Sequence, residues 1–213
     1  MTIEELSSVL QMQEEILQFS SFTNADAWEL GNLIVAEAAK RGAAVLVRIR
    51  LNNGYTVFQY GMDGTNLYHE QWLTRKENTV RLTEKSSLRM YMDLRERGES
   101  LADRFLDEKE YAACGGGFPI RVEEVGVIGT IAITGLDHVS EHDLLVKFGM
   151  AQTAIIGVLR KRFNPYGMTW FRLSNMYIMV AGVKMMIVVD QMVAVVATAG
   201  MEPANVMEHT TNL

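Results

Sequence analysis

Gly115-Gly116-Gly117-Phe118-Pro119-Ile120, followed by Val125-Gly126-Val127-Ile128-Gly129-Thr130-Ile131-Ala132-Ile133-Thr134-Gly135 and then Ser140-Glu141-His142-Asp143, decides the fold. Three successive glycines let the backbone pass close to other atoms or take positive φ, and Pro119 sets an extended entry. The alternating Val/Ile run that follows is a strand, with glycines where side chains would obstruct. Phosphate and dinucleotide loops run from a strand through glycines into a helix N-terminus. Here the glycines lead into a strand and no Lys-Ser/Thr pair follows, so the nucleotide fingerprints are excluded.

Working outward, Ile120 to Gly135 supplies two strands around a Glu123-Glu124 turn. Upstream, Val45, Val47, Ile49 and Leu51 alternate with Leu46, Arg48 and Arg50, and Asn52-Asn53-Gly54 turns the chain into Tyr55 to Tyr60, predicting a hairpin. Helical spacing predicts helices over Thr2 to Phe19, from Thr23 to near Gly42, over Asn66 to Glu84 and over Ser87 to Arg97, with Gly98 ending the last. Thr2 with Glu5, Thr23 with Asp26 and Ser140 with Asp143 have capping-box spacing. Leu144, Phe148, Ala151, Ile155 and Leu159 continue a stripe from the third of these boxes. Strand patterns of this kind bury their apolar faces against amphipathic helices, giving one α/β (α+β) domain over residues 1–160.

Several motifs in one order resemble the haem-degrading, HbpS/GlcG-like family. They are Phe19-Ser20-Ser21-Phe22-Thr23, Asp26-Ala27, Leu30-Gly31, Trp72, Arg75-Lys76, Asn78-Thr79-Val80, Ser86-Ser87, Glu110-Tyr111-Ala112-Ala113 and His142, with the glycine-rich stretch between the last two. The resemblance covers residues 19–146. It implies a two-layer domain with a mostly antiparallel sheet flanked by helices, a homo-oligomer, and haem as the cofactor to test.

Beyond Arg160-Lys161-Arg162 the composition changes. Most of the 14 methionines lie from Met150 onward, and the 161–213 segment matches no recognised pattern. Tyr177 to Gly200 is long enough to span a bilayer, yet a central Lys184 and Asp190 each cost roughly 2.5–3.5 kcal/mol on insertion. Short strands at Ile187 to Val189 and Val193 to Val196 are expected instead. The segment is either an unrelated extension or an added interaction element.

A net charge of −6 disfavours nucleic acid or an anionic membrane as partner. No leader pattern opens the chain, and the single cysteine, Cys114, excludes an internal disulfide, which suits a reducing cytoplasm.

Candidate ligand-binding residues are His142, Cys114, Gly115, Gly116, Gly117, Arg75, Lys76 and Asn78. Imidazole or thiolate can ligate haem iron, and arginine forms bidentate bonds with propionates. The cluster Asp137, His138, Glu141, His142 and Asp143 also has a plain explanation as a helix start capped by Ser140, and no zinc spacing or nucleophile elbow is present. Two functional readings result. One is a cytoplasmic haem- or small-ligand-binding domain whose pocket is formed by the Gly115 to Ile120 turn and the His142 helix start. The other is a non-catalytic oligomeric scaffold or adaptor in which Gly115 to Gly117 serve only close packing and the middle helices present a partner surface; the basic residues around Arg75 also have a plain explanation as solvated helix faces, with Glu77 and Glu84 as local partners.

Overall fold

In the computed structural model of the chain we describe the backbone of residues 3–160 and of four strands beyond it, and side chains up to residue 149. The chain divides into two compact units, Met1–Gly157 and Val158–Leu213.

The first unit is built on a five-stranded sheet of order β1-β4-β5-β2-β3. Its strands are β1 (Gln18–Phe19), β2 (Leu46–Leu51), β3 (Thr56–Gly61), β4 (Gly117–Val122) and β5 (Gly126–Thr134). β1 runs parallel to β4 and every other pair is antiparallel. The expected hairpin is β2–β3. The glycine stretch enters the sheet earlier than expected, at Gly117, because Gly117 already pairs with Ala132. Pro119 is tolerated inside β4 because β1 reaches only Arg121 and Val122.

Among the described residues five α-helices flank the sheet: α1 (Ile3–Ile16), α2 (Asn24–Lys40), α3 (Leu67–Thr83), α4 (Ser87–Arg97) and α5 (His138–Arg160). α1 stops before the expected Phe19, since Gln18 and Phe19 are drawn off to pair with Arg121 and Val122. Its proposed Thr2 cap lies outside the described residues. α2 starts on the expected box: Thr23 Oγ1 accepts from the Asp26 amide, and the Asp26 carboxylate accepts from the Thr23 amide. The Ser140 box does not form. Asp137 caps α5, its Oδ1 accepting from the Val139 and Ser140 amides, because the chain turns into the helix three residues earlier.

The alternation in β2 divides the core. Val45, Val47 and Ile49 join Ala27, Leu30, Ile34 and Ala38 of α2 and Leu144 of α5 in the main cluster, while Leu46 meets Leu73 of α3 and Ala132. Helices thus cover both faces, which extends the two-layer expectation by a third layer. Gly31 has a structural reason: a Cβ there would fall 2.4 Å from the Phe58 ring. On the α3 face Arg48 is 4 % exposed and held by Gln59, Glu70 and Glu77. Glu77 therefore bonds to a strand arginine instead of its helix neighbours, and burial pushes its carboxyl above the usual range against the opposing pull of Arg48 and Arg50.

The second unit contains β6 (Thr169–Leu173), β7 (Met176–Ala181), β8 (Lys184–Val189) and β9 (Met192–Ala197), an antiparallel sheet in chain order. The strands expected at Ile187 and Val193 fall within β8 and β9.

Candidate functional site

The chain segment Ala112–Gly117 lies flush against α3 and α4. Thr79 Oγ1 accepts from the Ala112 amide at 3.0 Å, and Ser87 Oγ accepts from the Gly117 amide at 2.8 Å. The Asn-Thr-Val and Ser-Ser motifs thus clamp the glycine turn. Below the turn, Lys76 and Glu141 are each 2 % exposed, and Lys76 Nζ donates to Glu141 Oε2 at 2.5 Å and to the Ile133 carbonyl at 2.9 Å. Glu141 Oε1 accepts from the Gly135 amide at 2.9 Å. Burial pushes the Glu141 carboxyl above its ordinary value, and Lys76 and the backbone amides oppose that shift.

These neighbours explain the glycines. A Cβ on Gly115 would lie 1.7 Å from the His138 carbonyl oxygen. On Gly116, whose φ is +105°, it would lie 2.5 Å from Glu141 Oε2 and 2.7 Å from Lys76 Nζ, and on Gly117 2.9 Å from Ser87 Oγ. The turn is filled by the protein's own atoms.

His142 does not complete a pocket with that turn. It is 1 % exposed, its Nε2 bonds Gln13 at 2.9 Å, and its ring tilts against Phe118. Burial lowers its pKa to about 4, so it is neutral at physiological pH. Lys76 is likewise buried, with Glu141 and the Ile133 carbonyl as its acceptors. Asn78 donates to the Glu110 carbonyl at 2.9 Å and bridges α3 to the following loop.

Arg75 and Cys114 are brought together in a different place. A recess of about 300 Å³ between α3 and α4 is lined by Trp72, Arg75, Tyr91, Arg95, Leu94 and Cys114, among others. The Arg75 guanidinium lies 4.2 Å over the Trp72 ring, and its Nε is buried without a hydrogen-bond partner. Arg95 lies 5.6 Å from the Tyr91 ring and donates to the Tyr91 hydroxyl at 3.1 Å. Buried Leu94 and Leu101 give the recess an apolar wall. Burial raises the Cys114 thiol pKa, with Lys76 opposing, so the sulfur is held as the thiol. His138 packs edge-on against Tyr91, ring centroids 5.4 Å apart, and its Nδ1 is buried and unpartnered. A more polar groove of about 840 Å³, with Glu70, Thr74, Asn78 and Lys109, shares Arg75 with the recess. Arg95 and Leu94 were missed from sequence; the Tyr91/Arg95 spacing of one helical turn is the signal that could have found them. Among the described residues no three His, Cys, Asp or Glu side chains come together as a metal would require.

The sheet order and its flanking helices define a small α+β domain with an arginine-lined recess on its α3/α4 side. A family model described as haem degrading protein HbpS-like matches residues 22–151, and the chain belongs to this family. A UPF0303 protein of Yersinia enterocolitica is 37% identical over 148 residues, which is 69% of this chain and 88% of the relative. The crystal structure of Ybr137w protein superposes with a TM-score of 0.65 at 28% identity, covering 72% of this chain and 88% of the other. A PduOC:heme complex shares the fold, with a TM-score of 0.52, 18% identity, and coverage of 62% of this chain and 94% of the other.

Proposed function

We propose that the protein binds haem or a related small organic ligand in the recess between α3 and α4. The observation that carries this is the buried, unpartnered Arg75 Nε beside an open, aromatic-lined space: a desolvated donor without an acceptor is costly, and a ligand carboxylate would satisfy it. The haem-degrading description of the family and the haem complex of a structural neighbour support the choice of ligand. Trp72 and Tyr91 would flank a ring, and Arg75 and Arg95 would meet propionates. Haem would bring redox and oxygen chemistry; the chain's own contribution is to orient the ring and neutralise its carboxylates. Titration with haem tests this: a Soret band that saturates, and that weakens in Arg75→Ala without moving, supports it, whereas a spectrum identical to free haem removes it.

The proposal includes a cytoplasmic homo-oligomer, which light scattering at micromolar concentration checks. The scaffold reading draws on one observation: Trp28 is 65 % exposed and Tyr60 51 % exposed near β3, which has a strand on one side only. A stable multi-subunit particle that leaves haem unbound would favour it.

A further inference from the structure

We infer that the recess recognises a planar ring bearing two carboxylates, through Arg75 and Arg95, and that a metal in the ring plays no part in recognition. The inference rests on the ligand-binding reading above and specifies what that site reads.

Two guanidinium-on-aromatic stacks enter one recess from neighbouring helices, Arg75 on Trp72 from α3 and Arg95 on Tyr91 from α4. Stacking fixes the plane of a guanidinium while leaving N–H groups at its edge, which is the geometry that meets a carboxylate with two parallel hydrogen bonds. Arg75 Nε has no acceptor of its own. Glu99, the acidic residue of the recess wall nearest in sequence to Arg95, is engaged by Arg104 at 2.7 Å and is not the acceptor for either stack. Leu94, Leu101 and Ala112 are buried and offer a ring an apolar surface.

The same wall is poor in groups that hold iron. Cys114 is kept as the thiol by burial. His142 is closed off by Gln13 and Phe118, and His69 bonds Asn66 at the start of α3. His138, packed on Tyr91, is the rival, and its ligation of iron is the outcome that would contradict the inference.

A planar dicarboxylate can be an intact tetrapyrrole with its propionates or a smaller aromatic diacid. The full-length chain is titrated with haem, with metal-free protoporphyrin and with its dimethyl ester, and terephthalate and benzoate are tested as competitors. We expect haem and metal-free protoporphyrin to bind within about threefold of each other, and the ester, which loses both charge-assisted contacts, at least about tenfold more weakly. Arg75→Gln and Arg95→Gln should each weaken both tetrapyrroles by a similar factor, with an unchanged melting temperature showing that the fold is intact, and His138→Ala should leave both affinities as they were. Terephthalate binding in the absence of tetrapyrrole binding makes the small diacid the ligand; the inference then stands and the haem reading falls. Haem binding with loss of affinity for the metal-free ring, or an ester that binds as well as the diacid, overturns the inference and leaves the haem reading in place. If none of these ligands binds, both fall.

Discussion

Lys76 and Glu141, 65 residues apart in the chain, meet through a 2.5 Å hydrogen bond with almost no access to water, and Gly116 passes over them without a side chain. The pair fastens α3 to the start of α5 and to the end of β5, which places the wall of the recess.

Breaking this pair on one side strands a charge in the core. Lys76→Met or Glu141→Gln alone is expected to destabilise by about 3–5 kcal/mol, while the double variant should lose less than the sum. Chemical denaturation of the four proteins measures the coupling; additive losses would show that the two groups do not depend on each other.

Gly115→Ala should be among the most damaging single-methyl changes in the molecule, since the added carbon would overlap the His138 carbonyl, a backbone atom with little room to retreat. We expect a loss of about 3 kcal/mol and a drop in Tm of roughly 10 °C. Gly149→Ala, where φ is not positive and the added carbon would meet only Leu17 side-chain atoms at 3.4 Å and beyond, is the control for the effect of the methyl group alone.

His142 gives the fold an acid-sensitive element. Its folded pKa of about 4 lies below the ordinary 6.5, so the unfolded chain binds the extra proton first. The neutral imidazole therefore contributes its full stability above pH 6.5 and loses it as pH falls toward 4, in total on the order of 3 kcal/mol. Glu77 and Glu141, raised by burial, act in the opposite sense, their contribution present below pH 4.5 and lost as pH rises through their folded values. The slope of stability against pH between 4 and 6.5 should flatten in His142→Asn relative to wild type; equal slopes would mean that the buried imidazole titrates normally.

A chain ending at Arg162 should keep a cooperative melt, because the main cluster draws its residues from Leu17 to Val146. Loss of the transition on truncation would assign the Val158–Leu213 unit a share of the core or of subunit contacts.

Much of the fold was legible because its signals are local. The Thr23/Asp26 box, the Asn52-Asn53-Gly54 turn and Gly98 each act within a few residues, and each stands where the spacing put it. Errors arose where distant chain competes. Phe19 belongs to a strand because Val122 needs a partner, and Asp137 displaces Ser140 as cap because the turn from β5 arrives early. The candidate site was half legible for a related reason. Arg75 and Cys114 stood out by family motif and chemistry, but whether a polar side chain faces a recess or the core depends on how helices pack, so the pairing of Lys76 with Glu141 and of His142 with Gln13 could not be read from the sequence.

α1 has a consequence for how the molecule is made. It lies ahead of the family match, yet Glu14 accepts from the Ser86 amide and from Arg89, and Gln13 bonds His142. This helix is synthesised before its partners, which emerge more than seventy residues and then well over a hundred residues later. α1 thus waits for its polar partners in two stages, Glu14 for the start of α4 and Gln13 for α5, and the helix is fully held only once α5 has been synthesised.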